Sequence, residues 1–225
     1  MPVGDAAHPP PPGKLRQTVT YLEMTARPDM AAPPFAAAGD PSVRRLEAPV
    51  HLAPDAYRAL YRAVGERWLW WERLVLTGSE LAAVLDDPRV ETRLFRVGGD
   101  TAGFSEIDRR AGADDVEIAF LGLKPAFTGR RLGRALLAET LRAAWTPATR
   151  RVWLHTCDHD HPGALGLYRS AGFRVVLSET VLIDDPRFSG LLPRTAAPHI
   201  PPSPPSQTEA GNEAALQESL RRFRT

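Results

Sequence analysis

The sequence predicts an α/β (α+β) fold, in which a mixed sheet carries helices on both faces. Three observations support this prediction. Apolar residues recur at helical spacing between residues 53 and 64, the pattern of a helix with one buried face. Two strand-like segments flank Gly98-Gly99-Asp100, and glycine supplies the positive φ that a hairpin turn needs. Residues 116–183 then alternate strand, helix, strand, helix and strand, an order typical of sheets covered by helices.

The individual elements are predicted from local composition and from the prolines and glycines that mark their ends. The predicted strands are runs of apolar and β-branched residues at 19–24, 43–47, 90–97, 101–107, 116–123, 151–156 and 173–183. The predicted helices are segments with apolar residues at helical spacing, at 53–64, 67–76, 79–85, 130–144 and 163–171. Pro54 suits the first turn of the first helix, and Pro88 ends the third. Gly172 is placed to cap the last helix in a left-handed conformation.

Composition excludes several classes of protein. The chain is 43% hydrophobic and 24% charged, which is enough apolar content to bury a core. Its net charge of +1 provides no field that would attract nucleic acid or an acidic membrane surface. Its single cysteine, Cys157, excludes an intramolecular disulfide. With no apolar run of membrane-spanning length and no signal-peptide pattern in residues 1–13, we expect a cytoplasmic protein without nucleic-acid or membrane partners.

Prolines mark the predicted domain boundaries. They form a run at residues 9–12, and seven more lie between residues 186 and 205. Proline removes a backbone donor and favours extended chain over packed structure. We therefore predict a disordered leader at 1–17, one domain at 18–185 and an irregular tail at 186–225. A short helix at 217–222 is an option within that tail.

The most informative segment is the turn between the strand at 116–123 and the following helix. Gly129 and Gly133 allow the backbone to approach a bulky ligand closely. The unpaired amides and the dipole of the helix N-terminus favour an anion there. Arg130, Arg131 and Arg134 add cationic side chains for phosphate oxygens. The same residues also suit an ordinary loop followed by a solvated helical turn, so both interpretations stay open on this segment alone.

Two segments together resemble the GNAT superfamily of N-acetyltransferases. The late helix of that family often follows the pattern A-L-x-L-Y-x-x-x-G-F, and residues 164–173 match every fixed position. The family's pyrophosphate loop is usually R/Q-x-x-G-x-G/A, which this chain matches only in part. Gly133 fits, but Thr128 replaces the usual Arg or Gln, and Arg131 replaces the middle glycine.

The resemblance covers about residues 43–183 and implies both a fold and an activity. The fold implied is a single domain whose mostly antiparallel sheet splays between two parallel central strands. The activity implied is an acetyl-CoA-dependent N-acetyltransferase, in which a primary amine of a small molecule attacks directly in a ternary complex. Two alternatives stay open: acetylation of a protein or peptide amine, and a noncatalytic binding module, which Thr128 and Arg131 suggest. The oligomeric state stays open, with a homodimer as one option.

The resemblance also assigns roles to residues. Backbone groups of Leu121 and Leu123 would pair with the pantetheine arm of acetyl-CoA. The remaining cofactor-binding residues would be Thr128, Gly129, Arg130, Arg131, Gly133, Arg134 and His161. Tyr168 would protonate the departing thiolate.

Glu117 is the first candidate for the general base, acting directly or through water. It lies six residues before Leu123, and strict alternation would place it on the same strand face as Ala119 and Leu121. A structural glutamate paired with an arginine is the alternative. His155 is expected in the substrate pocket or as an alternative base, and Trp70 is expected to line the pocket.

A metal site is not expected. His155, Cys157, His159 and His161 alternate along the chain and would share one face of a fully extended segment. The strand should end near residue 156, however, and no standard zinc spacing is present.

Overall fold

The computed structural model describes residues 9–29 and 44–203, which form one seven-stranded sheet with helices on both faces. The strands are β1 Lys14–Met24, β2 Arg44–Leu46, β3 Val90–Val97, β4 Asp100–Asp108, β5 Asp115–Leu123, β6 Arg151–Cys157 and β7 Arg174–Asp184. The helices are α1 Pro54–Gly65, α2 Gly78–Leu85, α3 Leu132–Ala144 and α4 Ala164–Ser170, with 3₁₀ turns at Glu66–Trp68 and Pro125–Phe127. No helix in the described ranges is long and apolar enough to cross a membrane.

The sheet is splayed at its centre, as predicted. The strand order is β2-β3-β4-β5-β6-β1-β7, and among the described strands only β5 and β6 are parallel neighbours. They pair over three positions, from Asp115 opposite Arg151 to Glu117 opposite Trp153. Beyond Glu117, β5 continues to pair with β4 and β6 with β1, but not with each other. The two central strands therefore diverge, which opens a gap in the middle of the sheet.

A bulge in β5 changes which face its side chains occupy. Glu106 of β4 pairs with Phe120, whereas the next residue, Ile107, pairs with Ile118, so Ala119 is an extra residue. Leu121 consequently packs with Ile118 on the α3 face of the sheet, and Glu117 lies on the opposite face. The prediction that strict alternation places Glu117 and Leu121 on one face is wrong, because the bulge interrupts the period of two.

Apolar clusters cover both faces of the sheet. The core beneath α3 and α4 includes Leu22, Ile118, Leu137, Leu141, Leu154 and Phe173. The core beneath α1 and α2 includes Tyr57, Tyr61, Leu81, Phe104 and Phe120. Each helix is thus held by its apolar stripe, as the helical spacing predicts.

The packed structure extends beyond the domain boundaries that the prolines suggested. Strand β1 begins at Lys14, inside the predicted leader. In the predicted tail, Leu192 and Ile200 join the core beneath α1. Arg187 is buried, pairs with Asp185 at 2.7 Å and donates to the backbone oxygen of Ile200 at 2.8 Å. The proline-rich segment can pack because this arginine supplies hydrogen bonds that the prolines cannot. The optional helix at 217–222 lies outside the described residues.

The segment expected to be helical at 67–76 is mostly a turn. Its 3₁₀ turn ends at Trp68, and the C-cap residue Leu69 is left-handed with φ 56°. The chain then brings Trp70 back over Gly65 and Gly122. A Cβ on Gly65 would lie 2.4 Å from the Trp70 ring, and one on Gly122 would lie 3.0 Å from it. Both glycines are therefore needed so that the indole can lie against the diverging end of β5.

Candidate active site

A cavity of about 660 Å³ occupies the gap between β5 and β6. We call it the central cavity. It is lined by residues of β1, β5, β6 and α4, by the turn that leads into α3, and by the connection after α1. The cavity exists because β5 and β6 diverge after three paired positions.

One wall of the central cavity is an unpaired strand edge. The Lys124 N–H donates to the Ala102 oxygen at 2.8 Å, on the β4 side of β5. Because successive amides of a strand point to opposite sides, the N–H groups of Leu123 and Leu121 face the gap. Both residues line the cavity. An extended ligand could therefore continue the sheet along this edge.

The turn into α3 forms the second wall. Arg131 is the N-cap residue of α3, has φ 60° and ψ 12°, and makes no side-chain capping hydrogen bond. The first amides of the helix therefore lack a side-chain acceptor, and with the helix dipole they form a site for an anion. The lining residues of this turn are Thr128, Gly129, Arg131, Leu132, Gly133 and Arg134.

Arg130 is the one predicted residue of the turn that does not line the cavity. Its guanidinium lies over the Phe127 ring, 5.4 Å from the centroid. Thr128, which stands where the family usually has Arg or Gln, donates its hydroxyl to the Pro125 oxygen at 2.8 Å. It thus stabilises the turn and offers no charge to a ligand.

Tyr168 and His161 reach the cavity from the other side of the gap. Tyr168 lies in α4 and is buried, with its ring 6.1 Å from that of Phe173. Burial raises the pKa of its phenol, so the hydroxyl holds its proton at neutral pH. The His161 ring lies 5.3 Å from Trp68, and its Nδ1 accepts the Gly163 N–H at 3.0 Å.

Glu117 and His155 are neighbours at the point where the strands diverge. The His155 Nδ1 lies 3.8 Å from the Glu117 Oε1. His155 lines the central cavity, whereas Glu117 is not among the described lining residues. Burial, followed by repulsion from Asp108, raises the pKa of Glu117 to about 7. The imidazole therefore lies beside this carboxylate on the cavity side.

Trp70 connects the two sides of the gap. Its Nε1 donates to the Asp160 Oδ1 at 3.0 Å. The other carboxylate oxygen of Asp160 accepts the Thr156 hydroxyl at 2.8 Å and the Cys157 N–H at 2.9 Å. The indole also packs against Tyr61 and Phe120. Trp70 therefore lines the cavity, and it also anchors the connection after α1 to the loop after β6.

Some cavity residues carry no signal in the sequence. Gln17 and Tyr21 of β1, Glu72 after α1 and Asp160 after β6 all line the cavity. They come from segments far apart in the chain and match no local pattern. Only the strand order, which places β1 beside β6, brings them together.

The histidine- and cysteine-rich segment after β6 does not assemble the alternating set that its spacing suggests. Three consecutive residues, Cys157, Asp158 and His159, have ligand atoms within 4.8 Å of one another. Each is already held within the protein: the Cys157 Sγ by the Gln17 amide, the Asp158 carboxylate by the Thr18 N–H and the His159 Nε2 by the Arg16 oxygen. Burial also raises the pKa of the Cys157 thiol to about 12, which disfavours the thiolate that metals require. These contacts favour a structural role for the segment.

Comparison with known proteins places the chain among acetyltransferases. The sequence model of the "Acetyltransferase (GNAT) family" matches residues 50–173. The chain is 39% identical over 83 residues to N-alpha-acetyltransferase RimI of Mycobacterium tuberculosis (strain ATCC 25618 / H37Rv), a match that covers 36% of this chain and 50% of that protein. The chain thus spans half the length of this curated relative.

The chain is also similar to two solved structures. A GCN5-related N-acetyltransferase from Sphaerobacter thermophilus superposes with a TM-score of 0.52 and 22% identity, over 78% of this chain and 52% of that chain. A putative acetyltransferase from the GNAT family of Novosphingobium aromaticivorans DSM 12444 gives a TM-score of 0.49 and 19% identity, over 78% and 70%. At 22% identity, the similarity to the Sphaerobacter thermophilus protein shows a shared fold alone.

Proposed function

Because the chain belongs to the GNAT family of acetyltransferases, whose members take acetyl-CoA as cosubstrate, we propose that it is an acetyl-CoA-dependent N-acetyltransferase acting on a primary amine. One observation carries the proposal. The unpaired edge of β5 leads directly to the uncapped N-terminus of α3, and both line one cavity. An extended arm that ends in a diphosphate matches this arrangement.

The residues of the cavity fit acetyl-CoA. The amides of the turn at 129–133 would hold the diphosphate, with Arg131 and Arg134 supplying positive charge. The N–H groups of Leu121 and Leu123 would bind the pantetheine arm. Acetyl-CoA supplies an acetyl group as a thioester, which is activated toward an amine. Arg131, which replaces a family glycine, is tolerated because its side chain is exposed while its backbone takes the left-handed conformation of a glycine.

The proposed transfer is a direct attack. The amine nitrogen forms a bond to the thioester carbonyl carbon, and the carbon–sulfur bond breaks. Negative charge that develops on the carbonyl oxygen is stabilised by a strand-edge N–H, for which Leu123 is the candidate. Tyr168 gives its proton to the departing thiolate, and its phenolate is reprotonated by the proton that the attacking nitrogen loses as the amide forms.

The amine must first lose a proton. His155 lines the cavity and Glu117 lies 3.8 Å behind it, so we propose that the proton passes through His155 to Glu117. A carboxylate with a pKa of about 7 is well matched to this task at neutral pH. This proposal keeps Glu117 as the base and gives His155 the contact with substrate.

Two acceptors are candidates. A small-molecule amine is the first, because the cavity is a pocket with a defined volume. The amine of a protein or peptide is the second, and the 39% identity to an N-alpha-acetyltransferase supports it.

Calorimetry with acetyl-CoA tests the enzyme proposal against a noncatalytic binding module. We expect a dissociation constant between about 1 μM and 1 mM, the usual range for cosubstrates. Gly133→Asp should weaken binding at least about tenfold, because a carboxylate at the helix N-terminus repels the diphosphate. Gly133→Ala is the matched control. A Cβ there meets only Leu167 at 3.6 Å, so binding should stay within a few-fold of wild type. Absence of binding by the wild-type chain would overturn the enzyme proposal.

A further inference from the structure

The charges in the central cavity are divided between its two sides. The cationic residues among the described lining residues are Arg131 and Arg134, and both belong to the turn into α3. The opposite wall, built by β1, β6 and the connection after α1, carries the carboxylates of Glu72 and Asp160 and no Lys or Arg among the described lining residues. A protonated amine that binds against this wall is therefore attracted by the negative charge of these carboxylates.

Glu72 is the carboxylate of this wall that is available to a ligand. Its Oε2 accepts the Tyr61 hydroxyl at 2.8 Å and the Trp71 N–H at 3.1 Å. Among the described residues no donor contacts its other oxygen, Oε1. Asp160 differs, because Trp70, Thr156 and Cys157 occupy both of its oxygens. Tyr61 is fully buried, so it holds the Glu72 carboxylate in a fixed position at the cavity wall.

We propose that the acceptor is an amine whose neighbouring carbon carries no carboxylate, and that Glu72 binds its positive charge before the proton is lost. This inference rests on the acetyl transfer proposed above and names the acceptor class for that same site. A free amino acid would place its carboxylate against Glu72 with no Lys or Arg to pair it among the described residues of that wall, because Arg131 and Arg134 belong to the cofactor end. An unpaired charge of this kind opposes binding. An amino-acid amide, a peptide N-terminus and a simple amine all avoid the conflict.

Release of free coenzyme A from acetyl-CoA tests this inference with three matched acceptors: leucine, leucinamide and a leucine-initiated tripeptide amide. We expect kcat/KM for leucinamide or the tripeptide to exceed that for leucine at least tenfold. The relative use of leucinamide and the tripeptide distinguishes a small amine from a peptide N-terminus, and preference for either over leucine supports the inference. Equal or better use of leucine would overturn it.

Two variants separate the charge of Glu72 from its structural contacts. The free amines differ in basicity, so the ratio of leucinamide to leucine is compared between variants at one pH. Glu72→Gln should reduce that ratio to below about threefold by lowering kcat/KM for leucinamide, since the neutral side chain no longer attracts a cation. Tyr61→Phe removes the hydrogen bond from the Tyr61 hydroxyl to Glu72 but keeps the charge of Glu72. The preference for leucinamide should therefore persist in this variant. An unchanged ratio in Glu72→Gln, or an equal fall in both variants, would overturn the role of Glu72.

Calorimetry with acetyl-CoA on the same preparations identifies which proposal fails. Binding of acetyl-CoA without a preference for the carboxylate-free acceptors overturns the inference alone. Absence of acetyl-CoA binding overturns the proposed function on which it rests.

Discussion

Replacing Glu117 by glutamine should make the protein more stable at alkaline pH and leave its stability unchanged at pH 4. The Glu117 side chain is 24% exposed, and its pKa rises from 4.5 to about 7, chiefly through burial and then through repulsion from Asp108. The folded protein therefore holds a proton that the unfolded chain releases between these two pH values. The contribution of Glu117 to the free energy of unfolding is therefore fully present below pH 4.5 and is lost as the pH rises to about 7.

The size of the effect follows from the interval between the two pKa values. That interval is about 2.5 pH units, each worth about 1.4 kcal/mol, so burial of the ionised carboxylate costs up to about 3 kcal/mol above neutrality. Glutamine has nearly the same shape and does not ionise. Glu117→Gln should thus raise the free energy of unfolding by about 2 to 3 kcal/mol at pH 8.5.

Urea denaturation at pH 4, 6 and 8.5, followed by tryptophan fluorescence, measures this difference. Glu139→Gln is the control, because Glu139 lies on the partly exposed side of α3 and its replacement should change stability by about 0.5 kcal/mol or less at every pH. A stability difference for Glu117→Gln that does not change with pH would refute the argument. If Glu117 is also the base, the same variant should require higher pH for full turnover, because the amine must then lose its proton to solvent.

Two further predictions concern the cofactor side of the cavity. Tyr168→Phe should lower kcat about 100-fold while the dissociation constant for acetyl-CoA, measured by calorimetry, stays within a few-fold, because the ring still packs against Phe173; an unchanged kcat would remove Tyr168 from the mechanism. Arg131→Gly should be more stable in urea than Arg130→Gly by about 1 kcal/mol, since only position 131 pays for a left-handed backbone, at φ 60°. Equal stability of these two variants would show that Arg131 is not strained.

Some features of the site could be predicted from the sequence because contiguous residues encode them. The turn at 128–134 and the helix Ala164–Ser170 each lie within one short segment, where glycine positions and helical spacing act locally. The sequence therefore predicts the glycine-rich turn and Tyr168 as parts of one site, and both line the central cavity. The predicted helix at 67–76 is wrong because its conformation depends on a contact that lies outside the segment. Its aromatic residues read as a helix, but Trp70 is held across the sheet by Asp160, a contact between residues distant in the chain.

The sequence by itself determined the fold class, the order of the strands along the described chain and the position of the glycine-bearing turn before α3. Only the tertiary structure decided which side chains line the central cavity. The extra residue at Ala119 separates Glu117 from Leu121, and the strand order brings β1 beside β6, so that residues such as Tyr21 share a wall with Glu72. Periodicity describes one segment at a time, whereas strand register and the divergence of β5 from β6 result from packing among many segments.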